Sequence, residues 1–290
     1  MHSIFKHTLW HPSSFMAFWN ALCIWGKAAR LHRPVGILLL SIPCVWGHIL
    51  AHGKLVWGEL LLLALGAIWT RSFGCIYNDW VDQGFDAQVA RTRHRPFAHG
   101  QKLPFFKSMV LCLGIFPAIV FIFLLPAAAI AWAIAGGTGS MIYPFLKRYS
   151  YFPQVFLGFL FSLGVFLAPA LAQVPLSRPF FLLYAAGILW TIEYDTVYGY
   201  QDYEDDKRLG LHSLPLLLGF KKGKFVLYML QGTRYILLDM VVPSFGVFSF
   251  LPILPLYALN LQSPTSCGRF FSWVPLEGLL ITLWMLYHVK

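Results

Sequence analysis

The chain has 290 residues, of which 58% are hydrophobic and only 12% charged, and its formal net charge is +10. A soluble domain carries roughly a quarter of its residues as charges, so the composition excludes a water-soluble globule and points to an integral membrane protein. The basic excess is not a nucleic-acid footprint, because it is divided among separate short segments that carry no nucleic-acid-binding motif.

From the N-terminus, the apolar, aromatic stretch from Phe15 to Trp25 has no small-residue cleavage signature. Phe15, Phe18, Trp19 and Trp25 suit a helix lying at the headgroup level, so residues 1–34 are expected to form a cytoplasmic, interfacial segment. About 20 apolar residues cross a hydrocarbon core about 30 Å thick. Spans are therefore predicted near Val35 to Ala51, Trp57 to Tyr77, Ser108 to Leu125, Ala127 to Phe145, Pro153 to Ala172, Phe180 to Tyr198, Phe225 to Val242, Phe245 to Leu261 and Phe271 to His288. The fold class is all-α, a polytopic bundle of about nine transmembrane helices. The third and fourth spans, split at Leu125-Pro126, are expected as a tight helical hairpin.

Basic residues in short loops stay cytoplasmic. With the N-terminus inside, 17 of the 22 Lys and Arg fall on the inner side, which fixes the orientation and also draws the inner face to anionic lipid. Cys23, Cys44, Cys75, Cys112 and Cys267 lack metal-ligand spacing and read as small apolar residues.

Nine of the 12 acidic residues lie in two stretches, Asp79, Asp82 and Asp86 in one and Glu193, Asp195, Asp202, Glu204, Asp205 and Asp206 in the other. If the second span continues as a helix, Asn78, Asp82 and Asp86 form one stripe with Arg71; at the end of the sixth, Asp195, Asp202 and Asp206 do the same beside Tyr198. Unpaired carboxylates so spaced repel, and oxygen ligands suit Mg²⁺, which binds through one or two carboxylates plus substrate phosphates. Acids at helix ends are often merely solvated. Here, however, Asn78 to Asp82 and Asp202 to Asp206 lie 124 residues apart at matching helix ends, as two halves with equivalent sites would give. Those halves are expected at about 35–145 and 153–261, within a transmembrane domain of residues 35–290.

Arg91 to Pro96 follows the first cluster, and Tyr143 to Arg148 closes the fourth span on the same side. Arg and Lys there could serve as topology anchors or as phosphate donors. Arg71 lies inside a span, where a charge costs roughly 2.5 to 3.5 kcal/mol on insertion scales. It should face the interior, either in an ion pair with Asp82 or another acid, or as a binder of an anionic second substrate. Arg234 and Asp239 in the seventh span are read either as a buried pair or as side chains that snorkel to the interface, and no chemistry is assigned to them.

The order Asn-Asp-x-x-Asp-x-x-x-Asp, then Arg91-Thr92, Arg95-Pro96 and Gly100, then Tyr143-Pro-x-x-Lys147-Arg148, then Asp195-Thr196-x-Tyr198 with Asp202, Asp205 and Asp206 resembles the UbiA-type intramembrane aromatic prenyltransferases. Within that family the chain looks most like the members that prenylate 4-hydroxybenzoate in ubiquinone biosynthesis. The resemblance covers about Arg30 to Gly219. It implies a bundle around a central cavity in a bacterial or mitochondrial inner membrane, open to the cytoplasmic side. The implied activity is Mg²⁺-dependent transfer of a polyprenyl group from its diphosphate to the ring carbon ortho to the acceptor's hydroxyl. By motif position Asn78, Asp82, Asp202 and Asp206 would hold Mg²⁺ and diphosphate, with Asp86 and Asp195 in support. Arg91, Arg95, Lys147 and Tyr143 would contact phosphate, with Tyr198 beside them, and Arg71 the acceptor carboxylate. The chain departs from the pattern at His212, where relatives commonly have Lys, and at Glu193, an added acid. The alternatives are another acceptor, such as a naphthoate, homogentisate or haem, or an ion-coupled transporter built from inverted halves.

Overall fold

A computed structural model describes residues 12–98, 114–243 and 253–289. Among them all regular structure is helical: α1 (Pro12–Ala28), α2 (Val35–His52), α3 (Trp57–Val81), α4 (Gln83–Asp86), α5 (Phe116–Leu124), α6 (Ala127–Leu146), α7 (Pro153–Ser162), α8 (Gly164–Leu171), α9 (Arg178–Gly199), α10 (Tyr203–Arg208), α11 (Leu214–Val241), α12 (Ile253–Tyr257) and α13 (Pro264–His288), with a 3₁₀ turn at Tyr200–Asp202. The start of the third predicted span, the first half of the eighth, and Gly100 and Cys112 lie outside the described residues.

By length and composition α2, α3, α6, the α7–α8 pair and α13 can each cross a membrane. The other long helices, α9 and α11, match predicted spans but carry Glu193 and Asp195, and Arg234 and Asp239, within their length. Punctuation follows local chemistry. Gly53 ends α2 in the left-handed region (φ 64°), its N–H bonded to the Ile49 carbonyl, a conformation that glycine adopts without Cβ strain. Pro126 starts α6 in an extended conformation just after α5 ends at Leu124, and α5 stacks Phe121 on Trp69 of α3. Gly219 (φ 62°) kinks α11 near its start.

Helices α2, α3, α6, α7 with α8, α9 and α13 pack in turn into a ring, with α11 outside against α9. The core centres on Trp46, Val165, Leu183, Trp190, Ile281 and Met285. Without a hydrophobic drive between helices in lipid, small residues set how closely they approach. A Cβ on Gly47 would lie 2.6 Å from the Val165 carbonyl oxygen, and one on Gly164 would collide with Cys44, so these glycines let α2 and α8 touch along their backbones. The interfacial expectation for the N-terminus meets an amphipathic α1, which buries Ala21, Trp25 and Ala28 against Ile76 and Phe97 and exposes Met16 and Trp19.

Candidate active site

The ring encloses a cavity of about 1400 Å³. Its lining includes Asn78, Asp82, Asp86, Asp195, Asp202 and Asp206 from the two acid stretches, together with Arg71, Arg91, Arg95, Tyr143, Lys147 and Tyr198. Residues far apart in sequence thus converge on one space. Beyond this polar rim the lining turns apolar, with Leu39, Leu63, Trp69, Ile130, Leu157 and Phe161.

The acids do not continue their helices as stripes. α3 stops at Val81 and α9 at Gly199, and Asp82 (φ −94°, ψ 7°) and Asp202 (φ −106°, ψ 10°) share nearly the same bridge-region backbone. Each is followed by a short helix, α4 or α10, that returns a further acid four residues on, Asp86 or Asp206, to the cavity. Carboxylates four residues apart repel along a continuous helix, and the break relieves that alignment. The two breaks are 120 residues apart, so backbone equivalence matches Asp82 with Asp202, whereas the 124-residue spacing matches Asp82 with Asp206.

Most of the rim carboxylates already have a cationic partner. Asp79 accepts from Arg30 at 2.5 Å and Arg95 at 3.0 Å, and the same Arg95 nitrogen donates to Asp86 at 2.7 Å. Arg91 forks onto Asp202, Nε to Oδ1 at 2.8 Å and Nη2 to Oδ2 at 2.5 Å, while Nη1 donates to the Tyr198 hydroxyl at 2.6 Å. Arg148 lies 3.6 Å from Asp82 and donates to the Val81 carbonyl. The loop after α4 is held by Thr92 Oγ1 donating to the Asp86 carbonyl. Burial pushes the Asp82 carboxyl above its ordinary value, opposed by Lys147 and Arg148. Burial likewise pushes Asp206 up to about 6, with Lys147 opposing and Asp202 adding to it.

Arg71 stands apart. Among the described residues it makes no ion pair, so of its two readings the ion pair with Asp82 or another acid does not hold; Asp82 meets Arg148 instead, and the Arg71 guanidinium lies over the Phe161 ring at 5.6 Å. Gly36 makes room for it, because a Cβ there would lie 2.5 Å from Arg71 Nε. Three residues that the sequence reading named without a site role lie off the cavity lining. Glu193 faces away from the cavity toward Arg234, Asp205 pairs with Arg208 and the Ala90 N–H, and the His212 N–H donates to the Lys147 carbonyl, which moors Lys147. Arg30 was missed as a site residue; the one available signal was that Asp79, once buried, requires a counter-charge.

A helical membrane bundle with a cavity of cationic and acidic rim and apolar depth is built for an amphipathic substrate with an anionic head. Among known proteins, the model of the UbiA prenyltransferase family matches residues 40–285. The chain belongs to that family. The match runs past Gly219 through the last helices and sets aside the transporter reading. A "4-hydroxybenzoate octaprenyltransferase" of Pseudomonas aeruginosa strain UCBPP-PA14 is 34% identical over 270 residues, 89% of this chain and 90% of the relative. Two solved folds are similar at lower identity. A UbiA homolog from Aeropyrum pernix K1 in its apo form has a TM-score of 0.69 at 22% identity, covering 86% of this chain and 97% of its own. A UbiA homolog from Archaeoglobus fulgidus bound to GPP and Mg²⁺ has a TM-score of 0.63 at 15% identity, covering 90% and 99%.

Proposed function

We propose that this chain transfers a polyprenyl group from polyprenyl diphosphate to the ring carbon ortho to the hydroxyl of 4-hydroxybenzoate, releasing diphosphate, in ubiquinone biosynthesis. The observation that carries this reading is the one cavity that joins an acid and arginine rim, an Arg71 without an ion pair among the described residues, and an apolar depth. The curated relative named above supports the choice of acceptor.

The donor set at the rim fits Mg²⁺. Asn78, Asp82, Asp86, Asp202 and Asp206 offer oxygen alone, the preference of a hard ion, and these residues would hold it. When bound, Mg²⁺ supplies neutralisation of the charge that builds on a leaving diphosphate. Arg91, Arg95 and Lys147, with Tyr143, bind phosphate oxygens and keep their positive charge where the bond to the allylic carbon breaks. The apolar depth shelters the isoprenoid chain and keeps water from the carbocation-like centre. Arg71 orients the aromatic acid by its carboxylate, which presents the carbon beside the phenol to that centre. Asp82 or the departing diphosphate takes the ring proton. Asp195 and Tyr198 support the rim, Tyr198 through its bond to Arg91. The location is a bacterial or mitochondrial inner membrane, with the cavity open to the cytoplasmic or matrix side.

The test mixes membranes containing the full chain with a polyprenyl diphosphate, labelled 4-hydroxybenzoate and Mg²⁺. Prenylated 4-hydroxybenzoate, dependent on the divalent ion, is the expected product; its absence where a working relative forms it refutes the assignment. A panel of naphthoate, homogentisate and haem checks the acceptor.

A further inference from the structure

Away from the cavity, a second polar cluster lies inside the bundle. Arg234 on α11 is fully buried, and its Nη2 donates to Glu277 of α13 at 2.6 Å and lies 3.4 Å from Glu193 of α9. Glu277 also accepts from the Tyr235 hydroxyl at 2.9 Å and the Trp190 Nε1–H at 3.0 Å. None of these residues lines the cavity. As a staple the cluster is poor: both Glu193 oxygens and two Arg234 nitrogens are buried without a hydrogen bond, and such groups cost stability when left unpaired. What one cation between two acids on separate helices does supply is a fixed rotational setting for the helices that carry them.

The helix it grips carries the rim. On α9, Trp190 and Glu193 face the cluster, whereas Asp195 and Tyr198 face the cavity. Glu193 and Asp195 are two residues apart, about 200° around a helix of 3.6 residues per turn. Turning α9 by about 10° therefore carries a carboxylate at a radius of about 6 Å through about 1 Å, and a misplacement of that size costs about 100-fold in rate.

We propose that Glu193, Arg234 and Glu277 are positioning residues that set the rotation of α9 and so aim Asp195, Tyr198 and the following Asp202 at the cavity. This rests on the transferase reading for its catalytic consequence, not for its geometry. Arg234→Met keeps the volume and removes the charge; Glu277→Gln keeps the shape and leaves Arg234 without a full partner; Arg234→Lys restores a cation. The purified full chain is assayed for kcat and both KM values per folded molecule, and the Arg234→Met variant is solved by cryo-electron microscopy. The expected result is a kcat lower by 10- to 100-fold in Arg234→Met and in Glu277→Gln, a diphosphate KM within threefold of the parent, substantial recovery in Arg234→Lys, and an α9 visibly rotated. An unrotated α9, or parental kcat per folded molecule in either charge-removing variant, would overturn the proposal. If the parent chain makes no prenylated product, the transferase reading fails, and the rotation of α9 still decides this one. Should Arg234→Met not fold, Glu277→Gln is taken through the same measurements.

Discussion

Replacing Gly36 by Ala tests the acceptor role of Arg71 without touching a charge. A Cβ at this position would meet Arg71 Nε at 2.5 Å and Nη2 at 2.8 Å, about 1 Å inside an ordinary contact of roughly 3.5 to 4 Å. The obstacle is the tip of a flexible side chain and not backbone, so the guanidinium moves while α2 stays. Gly36 is the second residue of α2, where Ala is no worse a helix former than Gly, and the fold should not lose stability. Arg71 displaced by about 1 Å holds its carboxylate by a distorted bond. A charge-assisted hydrogen bond contributes about 1.5 to 3 kcal/mol, and losing half to all of one corresponds to roughly a 3- to 150-fold effect. We expect the KM for 4-hydroxybenzoate to rise about tenfold, the KM for the diphosphate to stay within twofold, and Arg71→Ala to produce a larger rise of the same kind. Initial rates against each substrate in solubilised enzyme measure this. An unchanged acceptor KM, or a rise confined to the diphosphate, would refute the reasoning about Arg71.

Asp82→Ala and Asp202→Ala should each reduce turnover by at least 100-fold with membrane insertion retained; full activity in either variant removes the metal-site assignment. The Asp206 carboxyl, pushed up to about 6 by burial, must be ionised to serve as a ligand. Its useful form therefore appears as pH rises through 6, and kcat/KM for the diphosphate at limiting Mg²⁺ should fall about tenfold from pH 7 to pH 5. Asp206→Asn should flatten that limb of the profile, and an inflection unmoved by the substitution assigns it to another group. Gly47→Ala places a methyl 2.6 Å from the Val165 carbonyl oxygen, where only backbone can yield. It should destabilise the purified protein by about 1 to 3 kcal/mol, read as a lowered thermal transition, and an unchanged transition would show that α2 and α8 separate at little cost.

Much of the fold was legible because apolar length is a strong signal in lipid. α2 begins at the expected Val35, and the chain breaks between α5 and α6 at the expected Leu125-Pro126. The acid stretches were visible as concentrations of charge, but their backbone was not. A wheel drawn through Asn78, Asp82 and Asp86 assumes one helix, and nothing in side-chain spacing announces the break at Asp82. Partners across the bundle were equally hidden. The pairing of Asp79 with Arg30, 49 residues earlier, and of Arg234 with Glu193 and Glu277 depends on which helix faces which, information that periodicity within a single span does not contain. Glu193, counted with the second acid stretch by proximity in sequence, belongs to the other side of α9.

The pairing of rim acids with arginines of the same chain has a consequence for the order of loading. On the proposed reading, a divalent ion arriving alone at Asp202 must evict Arg91 from a two-pronged bond and strand a half-buried guanidinium. An ion that arrives already chelated by a diphosphate offers that guanidinium phosphate oxygens in exchange, so every charge changes partner and none is abandoned. Binding is then a swap of counterparts, which favours the chelate over either component and keeps the resting rim shut to stray cations.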